Sequence, residues 1–236
     1  LGNLVDYFLF HNRLIAHRCD DSVARIHGES ISLIRRSRGY APEPIKLKRA
    51  AQKCVLGVGA ELNSTSCILH KDKAFMSQHV GDVENLETLQ FHKGTIKHLL
   101  RLTNAKPDAV ACDLHPKFTT TVLAHELQKE FGFSVSNIQH HHAHAVALMA
   151  ERGIDEMIAL VCDGYGYGSD GKAWGGEVLL CRSDGDFQRL GHLEEQPLVG
   201  GDLATRYPVR MTAGILSKTK KIDISEWLLS NASSLP

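Results

Sequence analysis

The sequence lacks a net charge, a long apolar run and paired cysteines, and each absence excludes a class of protein. Its 27 Lys+Arg balance 27 Asp+Glu, which argues against a protein whose main role is to coat nucleic acid or an anionic membrane. It has no apolar run of about 18 residues to span a bilayer and no signal segment, so we expect a cytoplasmic protein without a membrane or nucleic-acid partner. The six cysteines contain no C-x-x-C pair, which disfavours a zinc knuckle and indicates reduced, mostly buried thiols.

What is present is a regular alternation of short strands and helices. Periodicity predicts a β-β-β-α-β-α-β order over Cys54–Ala60, Thr65–His70, Ala74–His79, Asn85–Leu102, Asp108–Leu114, Phe118–Phe131 and Ser134–Ile138. A β-β-β opening then returns at Glu156–Cys162, Ala173–Cys181 and Phe187–Glu194, followed by one helix over Leu203–Leu216. This repetition predicts an α/β protein with a duplicated ribonuclease-H-like fold of the actin and hexokinase type. We expect a first lobe at about residues 50–150 and a second, incomplete lobe at 151–236.

An arginine-rich segment precedes the predicted lobes. Residues 1–45 are expected to be the α+β end of another domain whose start is missing, and the two prolines of residues 41–44 suit a linker, with a boundary near 41–50. Its arginines would suit a polyphosphate or carboxylate, but a solvated basic face explains them equally well.

Four of the 14 histidines lie within five positions, at residues 140, 141, 142 and 144. His140 and His144 are spaced i, i+4 at the start of a predicted helix, so both imidazoles project from one face and can grip a transition-metal ion. The cluster follows the strand Ser134–Ile138, at the carboxyl end where open α/β sheets place ligands. His141 and His142 point elsewhere, as supporting or substrate-binding groups. The alternative is an exposed helix start with chance histidines.

Asp163 ends the predicted strand Glu156–Cys162 and opens a glycine-rich turn that runs to Gly171. Its carboxylate is placed to complete a His/His/Asp metal site, and glycines let backbone N–H groups approach a phosphate. The equivalent first-lobe hairpin offers the small polar residues Asn63, Ser64 and Thr65 for the same role. In both places the alternative is a turn without a ligand. Nucleophilic catalysis has no support, because no Gly-x-Ser-x-Gly elbow and no activated cysteine is visible.

Several stretches, in the correct order, resemble the HypF carbamoyltransferase family of hydrogenase maturation. They are Arg18–Val23, Arg35–Pro42, Asp82–Thr88, His140–His144, Asp163–Glu177 and Gly200–Ala204. The resemblance implies that residues 1–45 are the carboxyl-terminal part of a YrdC-like carbamoyl-adenylate domain. It also implies that 46–236 form a TsaD-like carbamoyl-transfer domain. In the YrdC-like part, Ser22, Arg25, Arg36 and Arg38 would be the site residues.

The resemblance also implies a reaction. Carbamoyl phosphate and ATP would be used, by way of carbamoyl-adenylate, to carbamoylate the carboxyl-terminal cysteine of a HypE-like acceptor, giving the precursor of the cyanide ligand of nickel–iron hydrogenase. His140, His144 and Asp163 would bind divalent iron or zinc. The nucleotide or carbamoyl group would lie beside Gly164, Tyr165 and Gly166 and beside the first-lobe hairpin. An antibiotic O-carbamoyltransferase and a non-catalytic metal- and partner-binding module are the alternatives.

The sequence also departs from the family pattern. It contains no acylphosphatase module, no paired zinc-finger motifs and no late Asn-Asp-Gly-Gly stretch, which would supply a further metal ligand. Tyr207 and Val209 stand where the family usually has Glu and Trp. We therefore expect this chain alone neither to make carbamoyl-adenylate nor to transfer the carbamoyl group at a useful rate.

Overall fold

The computed structural model describes residues 3–201, 203–219, 223, 226, 227 and 230. Backbone contacts divide the chain into two compact units, residues 1–191 and 192–236. Within the described part of the chain, no helix is both long and apolar enough to cross a membrane.

The first unit begins with an antiparallel hairpin of β1 (Val23–His27) and β2 (Ser30–Arg35), whose residues are mostly exposed. The side chain of Gln78 holds the segment just before this hairpin. Its Oε1 accepts a hydrogen bond from the N–H of Asp20 at 3.2 Å, and its Nε2 donates to the carbonyl of Arg18 at 2.7 Å. The arginine-rich segment is therefore attached to the first lobe through side-chain as well as backbone groups.

The first lobe is built on a six-stranded sheet. Its strands are β3 (Ile45–Lys46), β4 (Val55–Gly57), β5 (Cys67–His70), β6 (Lys73–Met76), β7 (Ala109–Asp113) and β8 (Ser134–Ile138). Their order is β3-β6-β5-β4-β7-β8, with β4, β7 and β8 parallel and β5 and β6 in antiparallel hairpins. This is the predicted ribonuclease-H-like arrangement. The edge strand β3 lies in the predicted linker, and two residues are too few to show a strand period.

Two helices cover one face of this sheet, α1 (Leu86–Thr103) and α2 (Thr119–Phe131). The side chain of Asn85 caps α1 by accepting a hydrogen bond from the N–H of Thr88 at 2.8 Å. The core between helices and sheet is one cluster of buried side chains that includes Leu56, Val58, Val110, Cys112, Ile96, Leu99, Leu123 and Leu127. Because side chains alternate along a strand, Gly57, Ala111 and Asp113 face the opposite side of the sheet.

The helix α3 (His140–Arg152) leads from the first lobe into the second. The second lobe contains β9 (Glu156–Val161), β10 (Gly166–Tyr167), β11 (Ala173–Trp174), β12 (Glu177–Arg182) and β13 (Phe187–His192). Its sheet has the order β13-β12-β9, and β10 and β11 form a small separate hairpin. Buried residues of α3 pack on this sheet in a second core of Ala145, Met149, Ala159, Leu179 and Cys181.

The predicted strand Ala173–Cys181 is wrong as a single strand. The structure ends β11 at Trp174 and starts β12 at Glu177. Gly176 between them has φ +70°, in the left-handed region that only glycine enters freely and that no strand contains. The paired glycines at 175 and 176 are themselves a turn signal, and the apolar residues on either side outweighed it in the prediction.

The predicted single helix Leu203–Leu216 is also wrong. Within the second unit the structure has α4 (Leu203–Arg206) and α5 (Pro208–Ser217), separated by Tyr207 at φ −122° and ψ 89°. Proline has no N–H and disfavours a helical conformation in the preceding residue, which accounts for the break. Asp202 of the Gly200-Gly201-Asp202 stretch lies outside the described residues.

Candidate metal centre

Three predicted ligands lie together where α3 begins and β9 ends. The Nε2 atoms of His140 and His144 are 3.3 Å apart. Oδ2 of Asp163 lies 2.9 Å from Nε2 of His140 and 3.5 Å from Nε2 of His144. Gln139 fixes the start of the helix by accepting a hydrogen bond from the N–H of His142 at 2.9 Å. The helix turn and the strand end thus bring two imidazole nitrogens and one carboxylate oxygen to a single point.

These donor atoms fit a single divalent ion. Bonds of about 2.0–2.2 Å to nitrogen and oxygen place two ligands of one ion about 3–3.5 Å apart at tetrahedral or octahedral angles. The three measured separations, 2.9, 3.3 and 3.5 Å, match that spacing. Imidazole and carboxylate are ligands that suit zinc and iron. The side chain of His144 is 57% exposed, so the three donors leave a side open to a further ligand or a substrate.

A fourth polar residue, Asp113, lies at this site and was not predicted from the sequence. Its Oδ2 lies 2.7 Å from Nδ1 of His140, and its Oδ1 accepts a hydrogen bond from the N–H of His115 at 2.8 Å. The hydrogen bond to Asp113 is the largest contribution that raises the pKa of His140. Asp113 ends β7 and pairs in register with Ile138 at the end of β8. The rule that carboxyl ends of neighbouring parallel strands meet could have identified it from sequence.

The other two histidines of the cluster point away from the donor atoms and are buried. His141 is 0% exposed, and its Nδ1 lies 3.2 Å from the side-chain nitrogen of Gln139. His142 is 8% exposed, and its ring stacks on Phe187 with the centroids 4.4 Å apart. Burial lowers the pKa of both histidines. They are therefore uncharged packing residues in the folded chain.

A cleft of about 400 Å³ lies beside the donor atoms, over the face of the first-lobe sheet that α1 and α2 leave free. It is lined by Gly57, Gly59, Ala60, Thr65, Cys67, Ala111, Cys112, Asp113, Ile138, His140, Ala143, His144 and Ala147. Ligand pockets commonly enclose about 300–1,000 Å³. A second hollow, of about 490 Å³, runs along β9 and also reaches His144 and Asp163. The donor atoms are thus accessible from two sides.

The first-lobe hairpin contributes one of its three predicted residues to the cleft. Thr65 lines it, whereas Asn63 is exposed and donates its N–H to Oδ1 of Asp82 at 2.8 Å. Ser64 is 2% exposed, and its buried Oγ has no partner among the described residues. Gly59, which sequence analysis missed, has φ +79°, and a Cβ there would lie 2.4 Å from the carbonyl oxygen of Thr65. Only glycine fits at that point beneath the hairpin.

The glycine turn after Asp163 has two parts. Gly164 and Tyr165 are exposed, with Tyr165 at 46%. Gly166 is buried, and a Cβ there would lie 2.6 Å from Cε1 of His141. Packing against His141 therefore requires a glycine at 166 whether or not a ligand binds, while the exposed pair remains the predicted contact for a phosphate or carbamoyl group.

A buried ion pair supports the turn from behind. Glu177 is 0% exposed and accepts two hydrogen bonds from Arg189, at 2.6 and 3.0 Å. It also accepts the N–H of Gly175 at 2.9 Å, and the N–H of Gly176 donates to the carbonyl of Asp163 at 3.0 Å. Sequence analysis did not single out Glu177 or Arg189. Together these contacts hold the backbone next to Asp163 in place.

The predicted YrdC-like site residues lie outside this centre, around the first hairpin. The hydroxyl of Ser22 donates to the carbonyl of Arg38 at 2.9 Å, and Nε of Arg38 lies 3.0 Å from Asp21. Arg36 donates to the carbonyl of Glu43 at 3.0 Å. Arg25 is exposed on β1, opposite Ser32. The structure therefore joins Ser22 to Arg38 and directs Arg36 toward the chain that leads into the first lobe.

All six cysteines lie among the described residues and are free. Cys67 and Cys112 both belong to strands that border the cleft, although the thiol of Cys112 packs in the core on the helix side of the sheet. Burial raises the pKa of each thiol to about 11. Both thiols are therefore protonated at neutral pH and are poor nucleophiles.

Comparison with known proteins identifies the family of the chain. Residues 50–151 match the family model described as the HypF Kae1-like domain, and residues 159–234 match the second subdomain of the carbamoyltransferase Kae1-like domain. Fold and matches together define the class: the chain is a Kae1-like α/β protein. More narrowly, it belongs to the HypF carbamoyltransferase family.

Individual relatives support this membership. The chain is 50% identical over 220 residues to "Probable carbamoyltransferase HypF" of Methanocaldococcus jannaschii, covering 92% of this chain and 29% of that protein. It is 38% identical over 233 residues to carbamoyltransferase HypF of a Synechocystis species, covering 98% and 30%. The chain thus spans less than a third of the length of these relatives.

Solved structures agree with the sequence relatives. A crystal structure of full-length HypF in its phosphate- and nucleotide-bound form is 34% identical, with a TM-score of 0.84 over 95% of this chain and 29% of that one. HypF of T. kodakarensis is 40% identical, with a TM-score of 0.81 over 91% and 28%.

Proposed function

We propose that this chain is the metal- and nucleotide-binding part of a carbamoyltransferase. The carbamoyl group would pass from carbamoyl-adenylate, made from carbamoyl phosphate and ATP, to the carboxyl-terminal cysteine of a HypE-like acceptor protein. There it would become the precursor of the cyanide ligand of nickel–iron hydrogenase. One observation carries the proposal: the donor atoms of His140, His144 and Asp163 meet at the wall of a cleft of about 400 Å³, in a chain whose relatives are named carbamoyltransferases.

The residues around the cleft have distinct roles in this proposal. His140, His144 and Asp163 hold iron or zinc, and such an ion supplies Lewis-acid chemistry to a carbamoyl or phosphate oxygen. Gly57 and Ala111 keep the floor of the cleft free of bulky side chains. Thr65 and the exposed Gly164 and Tyr165 stand where a phosphate or carbamoyl group would contact the chain. The phosphate- and nucleotide-bound form of a related HypF supports the assignment of such ligands.

The transfer step forms one bond and breaks one. The acceptor sulfur, as a thiolate, forms a C–S bond with the carbamoyl carbon, and the bond from that carbon to the phosphate oxygen of the adenylate breaks, so AMP leaves. The thiols of the nearby residues Cys67 and Cys112 do not compete, because burial raises the pKa of each to about 11. The nucleophile in this proposal therefore comes from the acceptor protein. The six free cysteines also suit the reducing cytoplasm, where we place the reaction.

A chimera tests the proposal in the setting of a whole relative. This chain would replace the matching 220 residues of the M. jannaschii relative, and the chimera would be supplied with ATP, carbamoyl phosphate and a HypE-like acceptor. We expect intact-mass analysis to show one carbamoyl group added to the acceptor, and no addition with a His140→Ala chimera. His125→Ala, at an exposed position of α2, is the matched control and should retain activity. A His140→Ala chimera as active as the control would contradict the proposed function.

A further inference from the structure

We propose that Asp113 is the positioning residue of the metal centre. It holds His140 with the proton on Nδ1, so that Nε2 carries the lone pair offered to the ion. The inference rests on the proposed metal site and adds to it the residue that fixes the orientation of one ligand ring.

The carboxylate of Asp113 is held from both ends. One oxygen, Oδ2, lies 2.7 Å from Nδ1 of His140, and the other, Oδ1, accepts the N–H of His115 at 2.8 Å. The hydroxyl of Thr121 donates to the carbonyl of the same aspartate at 3.2 Å. The side chain is only 5% exposed, so little water is present to replace either hydrogen bond. This carboxylate therefore has one orientation available, and that orientation faces the imidazole.

The orientation decides which ring nitrogen meets the metal. A neutral imidazole has one N–H donor and one acceptor nitrogen. Because a carboxylate oxygen only accepts, Nδ1 must carry the proton, and Nε2 is left as the acceptor. Nε2 is also the atom that lies 3.3 Å from Nε2 of His144 and 2.9 Å from Oδ2 of Asp163. An ion bound by these three donor atoms would need the lone pair of Nε2. The proton must then sit on Nδ1, where the carboxylate of Asp113 accepts it.

Asparagine at position 113 could not accept both of the hydrogen bonds that the carboxylate of Asp113 accepts. Its amide has one oxygen and one NH₂ group, whereas the site presents two donors, the N–H of His115 and the Nδ1–H of His140. One donor must then face another donor, either at the backbone or at the ring. Loss of such a supporting carboxylate typically weakens metal affinity by about 10–100-fold.

The experiment titrates the full 236-residue chain with Zn²⁺ in a calorimeter. Asp113→Asn is expected to bind about 10–100-fold more weakly than wild type. Asp108→Asn is the matched control, because it makes the same substitution just before the other end of β7, where the carboxylate accepts the N–H of Cys54 at 2.8 Å. That control is expected to bind as wild type does. Equal affinity of Asp113→Asn and wild type would overturn the inference.

A second readout needs no variant and reports only on the tautomer. Long-range ¹H–¹⁵N spectra of the zinc-loaded wild type are expected to show His140 protonated at Nδ1 and coordinated through Nε2. Coordination through Nδ1 would overturn the inference even if the Asp113→Asn chain did not fold. A different result would show that the chain has no metal site at all: titrating Zn²⁺ into wild type and into His140→Ala would both give the same heat as titrating it into buffer. In that case the positioning role of Asp113 would be contradicted as well.

Discussion

The two sides of the helix α3 carry two histidines each, and the pairs differ in almost every physical respect. His140 and His144 present their Nε2 atoms to Asp163 within 3.5 Å at the edge of a cleft. His141 and His142 are buried against the second lobe, where burial lowers the pKa of both. The four neighbouring histidines therefore form two pairs with different surroundings, one at the cleft and one buried. Successive residues of a helix lie about 100° apart, so His140 and His144 share the face at the cleft, where we propose that they bind a metal, and His141 and His142 pack in the interior.

The largest expected effect is on metal binding, from a substitution in the pair His140 and His144. His140→Ala removes one of the three donors, the one whose ring also contacts Asp113, so we expect the chain to lose stoichiometric Zn²⁺ binding, measured by elemental analysis after gel filtration. His125→Ala should retain it. If His140→Ala kept a full equivalent of metal that His141→Ala lost, the assignment of the two pairs would be reversed.

The next largest expected effect is on stability, from a substitution in the buried pair His141 and His142. His141→Ala empties a fully buried position, so we expect the free energy of unfolding of the metal-free chain to fall by about 2–4 kcal/mol, as for other large-to-small core substitutions. Urea unfolding followed by circular dichroism measures the change. His144→Ala, at an exposed position, serves as the comparison and should change stability by about 0.5 kcal/mol or less. Similar losses in the two variants would remove the distinction between the two sides.

Gly166→Ala should affect both histidine pairs of α3. Its methyl group would lie 2.6 Å from Cε1 of His141 and 3.0 Å from Cβ of His140. We expect a loss of about 1–3 kcal/mol in unfolding free energy from overpacking, together with weaker Zn²⁺ binding in calorimetry. Gly94→Ala is the control, because it lies inside α1 with no atom within 4 Å of the added Cβ. Wild-type stability and affinity in Gly166→Ala would contradict the packing of the turn on α3.

The smallest effect concerns a buried histidine far from α3 in sequence. His92 is 0% exposed, its Nε2 lies 2.8 Å from the carbonyl oxygen of Val58, and burial lowers its pKa. The unfolded chain, with an ordinary histidine pKa of about 6.5, binds the proton more readily. Stability should therefore fall as pH drops below about 6.5, because the unfolded state takes up more protons than the folded state.

We expect His92→Gln, which keeps a donor for Val58, to show a shallower loss of unfolding free energy between neutral and mildly acidic pH, with EDTA present. An unchanged slope would mean that His92 contributes nothing to the pH dependence and that buried histidines here do not behave as uncharged packing residues.

Much of the first lobe was predictable from sequence because its strands and helices are short, periodic and separated by turn residues. The i, i+4 spacing of His140 and His144 likewise predicted that both would share one helix face. Two breaks were missed, at Gly175–Gly176 and at Tyr207, because the apolar pattern on both sides of each break outweighed the paired glycines and Pro208, which are break signals. Backbone conformation, set by a left-handed glycine in one case and by Pro208 in the other, overrode that pattern.

The supporting residues of the site were missed for a different reason. Asp113 contacts His140 across two parallel strands, and Glu177 meets Arg189 across a hairpin. The contact of Glu177 with Arg189 has no local sequence signature, since it depends on strand register. The position of Asp113 follows from the rule on strand ends only once β7 and β8 are taken as parallel neighbours. The burial of His141 and His142 likewise depends on which side of α3 the second-lobe sheet covers.

The most direct test of whether His140 and His144, and not His141 and His142, bind the metal is anomalous diffraction from crystals soaked in Zn²⁺ or grown with Fe²⁺. We expect one strong peak within bonding distance of Nε2 of His140, Nε2 of His144 and a carboxylate oxygen of Asp163. A peak at His141 or His142, or none at the three donors under conditions that saturate the chain in solution, would contradict it.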